Sequence, residues 1–265
     1  CYNGLLGYGE KTKKYHLKRA HLCEDRQEME EELHKLNLPK NFKLVITGGG
    51  RVGKGALEVI EKTNIKKVSP EDFLSKDFNF PVYTHLSVKD YVSRNDKKNF
   101  DKSVFFDNPA GHSSTFMDYA QVADLYVACH YWDNRSPFIF TRKDMENPNW
   151  KISVVADVSC DIDGPVACTI RPSTITNPFY GYDPKTQKEV DFLTKKSVGV
   201  MAVDNLPCEL PKDASLEFGK MFIDHVLEPI TGNDPEKIIY RASETINGKL
   251  TPHFEYLQDY LEGKD

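Results

Sequence analysis

The stretch Phe42-Lys43-Leu44-Val45-Ile46-Thr47-Gly48-Gly49-Gly50-Arg51-Val52-Gly53 decides the fold class. Leu44, Val45 and Ile46 form a short unbroken apolar run, the pattern of a strand buried on both faces. Glycine follows at positions 48, 50 and 53, and a helical pattern then runs over residues 54–62. Strand, glycine turn and helix are contiguous. In that setting Gly48 permits a tight turn, Gly50 lets the backbone approach a pyrophosphate, and Gly53 lets helix and strand pack closely. The helix N-terminus adds free N–H groups and the positive end of a dipole. A glycine-rich turn without a ligand is the alternative; the flanking strand and helix weigh against it.

Outward from this unit, apolar runs recur at residues 67–69, 82–84, 123–128, 152–156 and 198–203, with helical or irregular segments between them. That alternation predicts an α/β fold, a doubly wound, Rossmann-like parallel sheet. Runs 123–128 and 152–156 are nearly continuously apolar, as strands covered on both faces must be. Residues 11–38 are charged and helix-prone. Residues 157–197 carry Pro165, Pro172, Pro178 and Pro184 without helical period, and are expected to form a long irregular functional loop at a strand's carboxyl end. An amphipathic helix is expected after Pro211, with Leu216, Met221, Phe222, Val226 and Leu227 on one side. Shorter helices are expected over 236–246 and 252–261. The domain reading is linking helices over 1–38, a dinucleotide-binding domain over 39–210, and closing helices over 211–265 that return to a second domain.

Composition narrows the function classes. In 265 residues, 39% hydrophobic and 11% aromatic side chains argue against a disordered chain. A balance of 35 Lys+Arg against 40 Asp+Glu gives a net charge of −5, which argues against a nucleic-acid carrier. There is no run of about 18 apolar residues for a membrane span and no charged-then-apolar leader. The six cysteines form no C-x-x-C pair, so a structural zinc is not expected. Free thiols in a reducing, cytoplasmic setting are expected. The chain opens on Cys1, and residues 2–8 read like the middle of an element, so an N-terminal truncation is expected.

Four places carry candidate chemistry beyond the glycine turn. Ser69, at the end of the expected second strand, occupies the place of an acid for the ribose 2′-hydroxyl. Glu71 lies 23 residues past the first glycine and reads equally as a first-turn helix acid. Lys66 and Lys67 are near, so a 2′-phosphate is permitted and NADP is not excluded beside the favoured NAD. His130, in Ala128-Cys129-His130-Tyr131-Trp132-Asp133 at the end of the fourth strand, is a candidate donor to substrate or cofactor, or a satisfied histidine in a crowded loop; Trp132 reads as packing. Asp157, Asp161 and Asp163 crowd the end of the fifth strand, where unpartnered carboxylates are costly. The spacing after Gly164 does not fit an EF-hand. Asp157 reads as structural and Asp161 as the active-site candidate. The last place is Asp204-Asn205-Leu206, at the tip of a strand-to-helix turn.

The runs Val155-Ala156-Asp157-Val158-Ser159-Cys160-Asp161-Ile162-Asp163-Gly164-Pro165, Thr174-Ile175-Thr176-Asn177-Pro178-Phe179-Tyr180-Gly181-Tyr182-Asp183-Pro184 and Ala202-Val203-Asp204-Asn205-Leu206-Pro207-Cys208-Glu209-Leu210-Pro211-Lys212-Asp213-Ala214-Ser215 resemble the lysine-forming saccharopine dehydrogenases and lysine–2-oxoglutarate reductases. The likeness extends from Tyr2-Asn3-Gly4 to the helix after Ser215. It implies two domains flanking a cleft and a fold shared with alanine dehydrogenase. It places Gly48–Gly53, with Arg51 and Val52 among them, on the pyrophosphate of NAD or NADP. It puts Asp161 and Asp204, Asn205 and Leu206 near the nicotinamide. The implied reaction is reversible reductive amination: lysine and 2-oxoglutarate form an imine, which hydride reduces to saccharopine. The family's lysine and histidine acid–base pair lies before the point that resembles Tyr2-Asn3-Gly4, so this chain is expected to supply the cofactor domain without that pair. The implied partners are an amino-acid or 2-oxo-acid substrate and, with apolar cover removed, a second copy in a homodimer. A dinucleotide-binding regulatory module without hydride transfer, and an alanine or opine dehydrogenase, are the competing readings.

Overall fold

A computed structural model describes residues 1–264. Its centre is an eight-stranded sheet built from β1 (Lys43–Thr47), β2 (Lys66–Lys67), β3 (Val82–Leu86), β4 (Leu125–Ala128), β5 (Val154–Asp157), β6 (Phe179–Asp183), β7 (Lys188–Val190) and β8 (Val198–Met201). The spatial order is β2-β3-β1-β4-β5-β8-β6-β7. The six strands from β2 to β8 run parallel, and β6 and β7 close one edge as an antiparallel hairpin. This is a Rossmann-like α/β fold.

The period of two along each strand divides the core into two layers. Leu44, Ile46, Leu125, Val127, Val154 and Ala156 face one side, where they meet α1 (Tyr2–Thr12) and α2 (Arg51–Glu61). Val45, Tyr126, Ala128 and Val155 face the other, against Phe73, Phe116 and Phe140. Burial on both faces explains the unbroken apolar runs. Helix α1 lies in the sheet's own covering layer rather than in a separate linking segment. Gly4 and Gly7 allow that approach, since a Cβ there would stand 3.0 Å from the Ala156 Cβ and 2.8 Å from the Phe179 ring.

One further expectation is corrected. Residues 157–197 are not irregular throughout: Phe179–Asp183 and Lys188–Val190 pair as a hairpin. Its turn is held by Asp183, whose carboxylate accepts from Lys185 N and Thr186 Oγ1, with Gln187 at a φ of 55°. A second compact unit begins at Pro211. Its helix α3 (Pro211–Phe222) continues through a π-helical turn at Ile223–Leu227. No residue of that helix is buried, so the expected apolar side is uncovered: Leu216 is 67% and Met221 51% exposed. None of the six cysteines is in a disulfide, and among the described residues no helix is long and apolar enough to cross a membrane.

Candidate functional site

The chain leaves β1 for β2 and then β3 on one side and later returns to β4 on the other. Between β1 and β4 the winding reverses, and in open α/β sheets ligands bind outside the carboxyl ends of the strands at such a point. The structure has a cavity there of about 1010 Å³. Its walls come from the segments that follow β1 (Gly48–Val52), β3 (Ser87, Val88, Lys89 and then Phe100, Phe105 and Phe106), β4 (Cys129 to Ile139) and β5 (Ser159 and Asp161).

The glycines divide by the reason each is needed. Gly48 has a φ of 102°, and a Cβ on it would stand 2.1 Å from the Cys129 carbonyl oxygen. A Cβ on Gly53 would stand 1.9 Å from the Gly48 oxygen. Those two are required by packing of turn, helix and strand. His85 supports the turn through its Nε2, 2.7 Å from the Gly48 oxygen. Gly50 differs: nothing lies within 4 Å of its would-be Cβ, and the same holds for Gly49. Its φ of −83° and ψ of −167° suit any residue. It caps α2 without a side-chain hydrogen bond, so the first N–H groups of that helix face the cavity wall formed by Gly50, Arg51 and Val52. Arg51 and Val52 are exposed. Open space, free backbone donors and a helix N-terminus at one spot fit a pyrophosphate.

On the β4 side, Thr47 Oγ1 lies 3.2 Å from His130 Nδ1, and Nε2 is buried without a partner among the described residues. Burial pushes His130 down to about 4, so its ring is neutral at physiological pH. The Trp132 indole N–H is also buried without a partner. Trp132 therefore lines the cavity rather than serving only as packing. Asp133 is held below the usual carboxylate range by Arg135, which reaches it at 2.8 and 2.9 Å.

On the β5 side the carboxylates separate. Asp157 is fully buried and accepts from Ser159 N, Ser159 Oγ, Cys160 N and Thr169 Oγ1 at 2.5–3.2 Å. Burial raises its pKa against those bonds. It closes the strand and holds the following turn. Cys160 takes a left-handed φ of 54°, and Asp161 follows at the cavity wall. Among the described residues Asp161 has no side-chain hydrogen bond or ion pair, and burial raises its pKa. Asp163 pairs with Arg142 away from the cavity.

Two expected positions lie elsewhere. Ser69 does not line the cavity: it ends β2, the outermost strand, and its Oγ caps the helix Pro70–Ser75 by accepting from Asp72 N at 3.1 Å. The strand beside β1 is β3, and the residues that follow it at the cavity wall are Ser87, Val88 and Lys89. Asp90 is occupied, since it accepts from both Ser87 N and Ser87 Oγ at 2.7 Å. Asp204, Asn205 and Leu206 follow β8, two strands from β4, and are not among the cavity-lining residues. Asp204 and Asn205 are exposed, while Leu206 packs on the α1 side of the core.

Sequence comparison supplies relatives. No known family profile matches the chain. A Mus musculus protein named alpha-aminoadipic semialdehyde synthase, mitochondrial, is 26% identical over 302 residues, covering 98% of this chain and 32% of its own length. An Arabidopsis thaliana alpha-aminoadipic semialdehyde synthase is 26% identical over 253 residues, covering 86% of this chain and 24% of its own. A Schizosaccharomyces pombe protein named saccharopine dehydrogenase (NAD(+), L-lysine-forming) is 31% identical over 105 residues, 40% of this chain and 27% of that protein. The chain's homologues are alpha-aminoadipic semialdehyde synthases and lysine-forming saccharopine dehydrogenases. These homologues bear out the resemblance carried by the motifs at 155–165, 174–184 and 202–215. The chain spans about a quarter to a third of the length of these relatives.

Proposed function

We propose that the chain is the dinucleotide-binding part of an oxidoreductase of lysine metabolism, acting on the carbon–nitrogen bond that joins lysine to 2-oxoglutarate in saccharopine. The observation that carries the cofactor half is Gly50: a glycine that packing does not need, at a helix N-terminus, facing open space at the sheet's switch point. The names of the relatives support the substrate half. A nicotinamide dinucleotide bound here would supply or accept hydride. Backbone N–H groups of α2 and the Arg51 side chain would balance its pyrophosphate. Ser87 and Lys89, with no unoccupied carboxylate beside them, would meet the adenosine ribose and favour a 2′-phosphate. Asp161 is the carboxyl placed to meet the nicotinamide end or the substrate, and its raised pKa suits a group that exchanges a proton.

The neutral His130 is not an acid–base catalyst in this reading. That observation also favours the second reading, a module that binds a dinucleotide without turning it over. The test is oxidation of NADH and NADPH with lysine and 2-oxoglutarate, run on the 265-residue chain and on the longest polypeptide its gene encodes. The longest product should turn over with lysine, and the chain alone should bind and remain silent. Turnover of the longest product with pyruvate and ammonia but not with lysine would overturn the substrate assignment.

A further inference from the structure

Three buried polar side chains stand in line behind the glycine turn. Tyr126 Oη lies 2.8 Å from Thr47 Oγ1, which lies 3.2 Å from His130 Nδ1. Tyr126 and Thr47 are fully buried, and His130 is 6% exposed. Among the described residues Thr47 is the one partner of the Tyr126 hydroxyl. A buried phenol left without an acceptor is costly, so Tyr126 donates to Thr47. The Thr47 proton is then directed to its other neighbour, His130 Nδ1, which must present a lone pair. A neutral imidazole whose Nδ1 accepts carries its proton on Nε2. Thr47 Oγ1 has a second lone pair, but accepting twice would strand its own buried proton, so the arrangement that satisfies both hydroxyls sets the tautomer. Nε2 is also the ring atom left buried with no protein partner, and Trp132 Nε1, two residues on, is in the same condition. Both residues line the cavity. Two buried N–H donors without acceptors in one wall call for a ligand that accepts.

We propose that His130 Nε2–H, held in that tautomer by Tyr126 through Thr47, donates to an oxygen of the bound dinucleotide beside the glycine turn. The location follows from the backbone: His130 N lies 2.7 Å from where a Gly48 Cβ would stand, so the ring emerges next to the turn that faces the pyrophosphate. The acceptor is a pyrophosphate oxygen or a hydroxyl of a flanking ribose. Trp132 Nε1–H supplies the second donor. Tyr126 and Thr47 are positioning residues, since they act through His130 and touch no ligand themselves. An imidazolium would need a proton on Nδ1, where Thr47 already donates, so the same chain that fixes the donor opposes charging of the ring. The ligand half of this proposal rests on the dinucleotide reading above; the tautomer half does not.

Nitrogen-15 NMR of the histidine-labelled 265-residue chain reads the tautomer without any ligand. His130 should show the Nε2–H form, and Thr47→Val, which removes the donor to Nδ1, should give a mixture of both. A wild-type Nδ1–H form would overturn the proposal while leaving the dinucleotide reading intact. Titration with NADH and NADPH, with no amino acid or 2-oxo acid present, tests the donor. His130→Gln, whose amide N–H stands near the position of Nε2–H, should bind within about 3-fold of wild type, and His130→Leu should bind about 10-fold more weakly. Equal affinity of the Leu variant and wild type, with both folded by circular dichroism, would overturn the donor role and leave a substrate oxygen as the acceptor to consider. A wild-type chain that binds neither dinucleotide would overturn the functional reading and the ligand half together.

Discussion

Substitutions at the three motif glycines should separate folding from binding. In Gly53→Ala the new Cβ meets the Gly48 oxygen at 1.9 Å, where ordinary contact begins near 3.4 Å. The shortfall of about 1.5 Å falls between two backbone segments, neither of which can swing aside as a side chain would. Overpacking costs about 1–3 kcal/mol when side chains can yield, so the cost here should be about 3 kcal/mol or more. For a unit of this size that lowers the melting temperature by about 6–12 °C. Gly48→Ala should fare no better, because its φ of 102° adds backbone strain to a 2.1 Å contact with Cys129. Gly50→Val meets no protein atom within 4 Å and keeps an accessible φ and ψ. Its stability should stay within about 1 kcal/mol of wild type, the weaker helix cap being offset by a less flexible unfolded chain. Its dinucleotide affinity should fall by about 30-fold or more, about 2 kcal/mol, as the side chain fills the approach to the backbone. Thermal denaturation and calorimetric titration with NADH and NADPH measure both quantities. A Gly50→Val chain as unstable as Gly53→Ala, or one that binds as wild type does, would refute the reasoning.

Other outcomes follow from the same geometry. Lys89→Ala should weaken NADPH about 10-fold and leave NADH nearly unchanged. Ser69→Ala should leave both affinities alone and cost about 1 kcal/mol of stability through the lost helix cap. In an active longer product, Asp161→Asn should lower turnover with little change in melting temperature. Asp157→Ala should cost about 1–3 kcal/mol by stranding the Ser159, Cys160 and Thr169 donors; the opposite pattern would mean the two aspartates have exchanged roles. For pH, His130 has a folded pKa of about 4 against an ordinary value of 6.5. The unfolded chain therefore binds the extra proton first, and stability falls as pH drops from about 6.5 through about 4, by at most about 3 kcal/mol. Denaturant titrations should show His130→Gln lacking that part of the acid limb. An identical limb in both proteins would count against a buried neutral ring.

The parallel strands were legible in sequence because burial on both faces writes a continuous apolar run, as in residues 44–46 and 123–128. Their order was not. Lys66 and Lys67 are two exposed residues on an edge, and nothing local says that Val82–Leu86 inserts between them and β1. That placement puts Ser87 and Lys89, rather than Ser69, at the cavity wall beside β1. The hairpin at 179–190 was hidden because Phe179, Tyr180, Gly181 and Tyr182 are all buried, which erases the alternation expected of an antiparallel strand. Pro178 and Pro184 bracket β6, yet read as loop punctuation. Gly48, Gly50, Gly53, His130 and Asp161 were visible because strand, turn and helix are adjacent in sequence. The link from Tyr126 through Thr47 to His130 was not, since it joins positions 79 and 83 residues apart.

The central claim is that the cleft over β1 and β4 holds a nicotinamide dinucleotide, and Trp132 makes it directly measurable. Trp132 lines that cleft, and the chain's other tryptophan, Trp150, packs against Phe140 in the core. Titrating NADH or NADPH into the 265-residue chain while exciting tryptophan should quench Trp132 and raise sensitised dihydronicotinamide emission, saturating in the micromolar range. The signal should fall sharply in Trp132→Phe, leaving only the part that Trp150 sensitises, and require far more ligand in Gly50→Val. No sensitised emission from either dinucleotide at high micromolar concentration, or full emission retained in Trp132→Phe, would contradict the account.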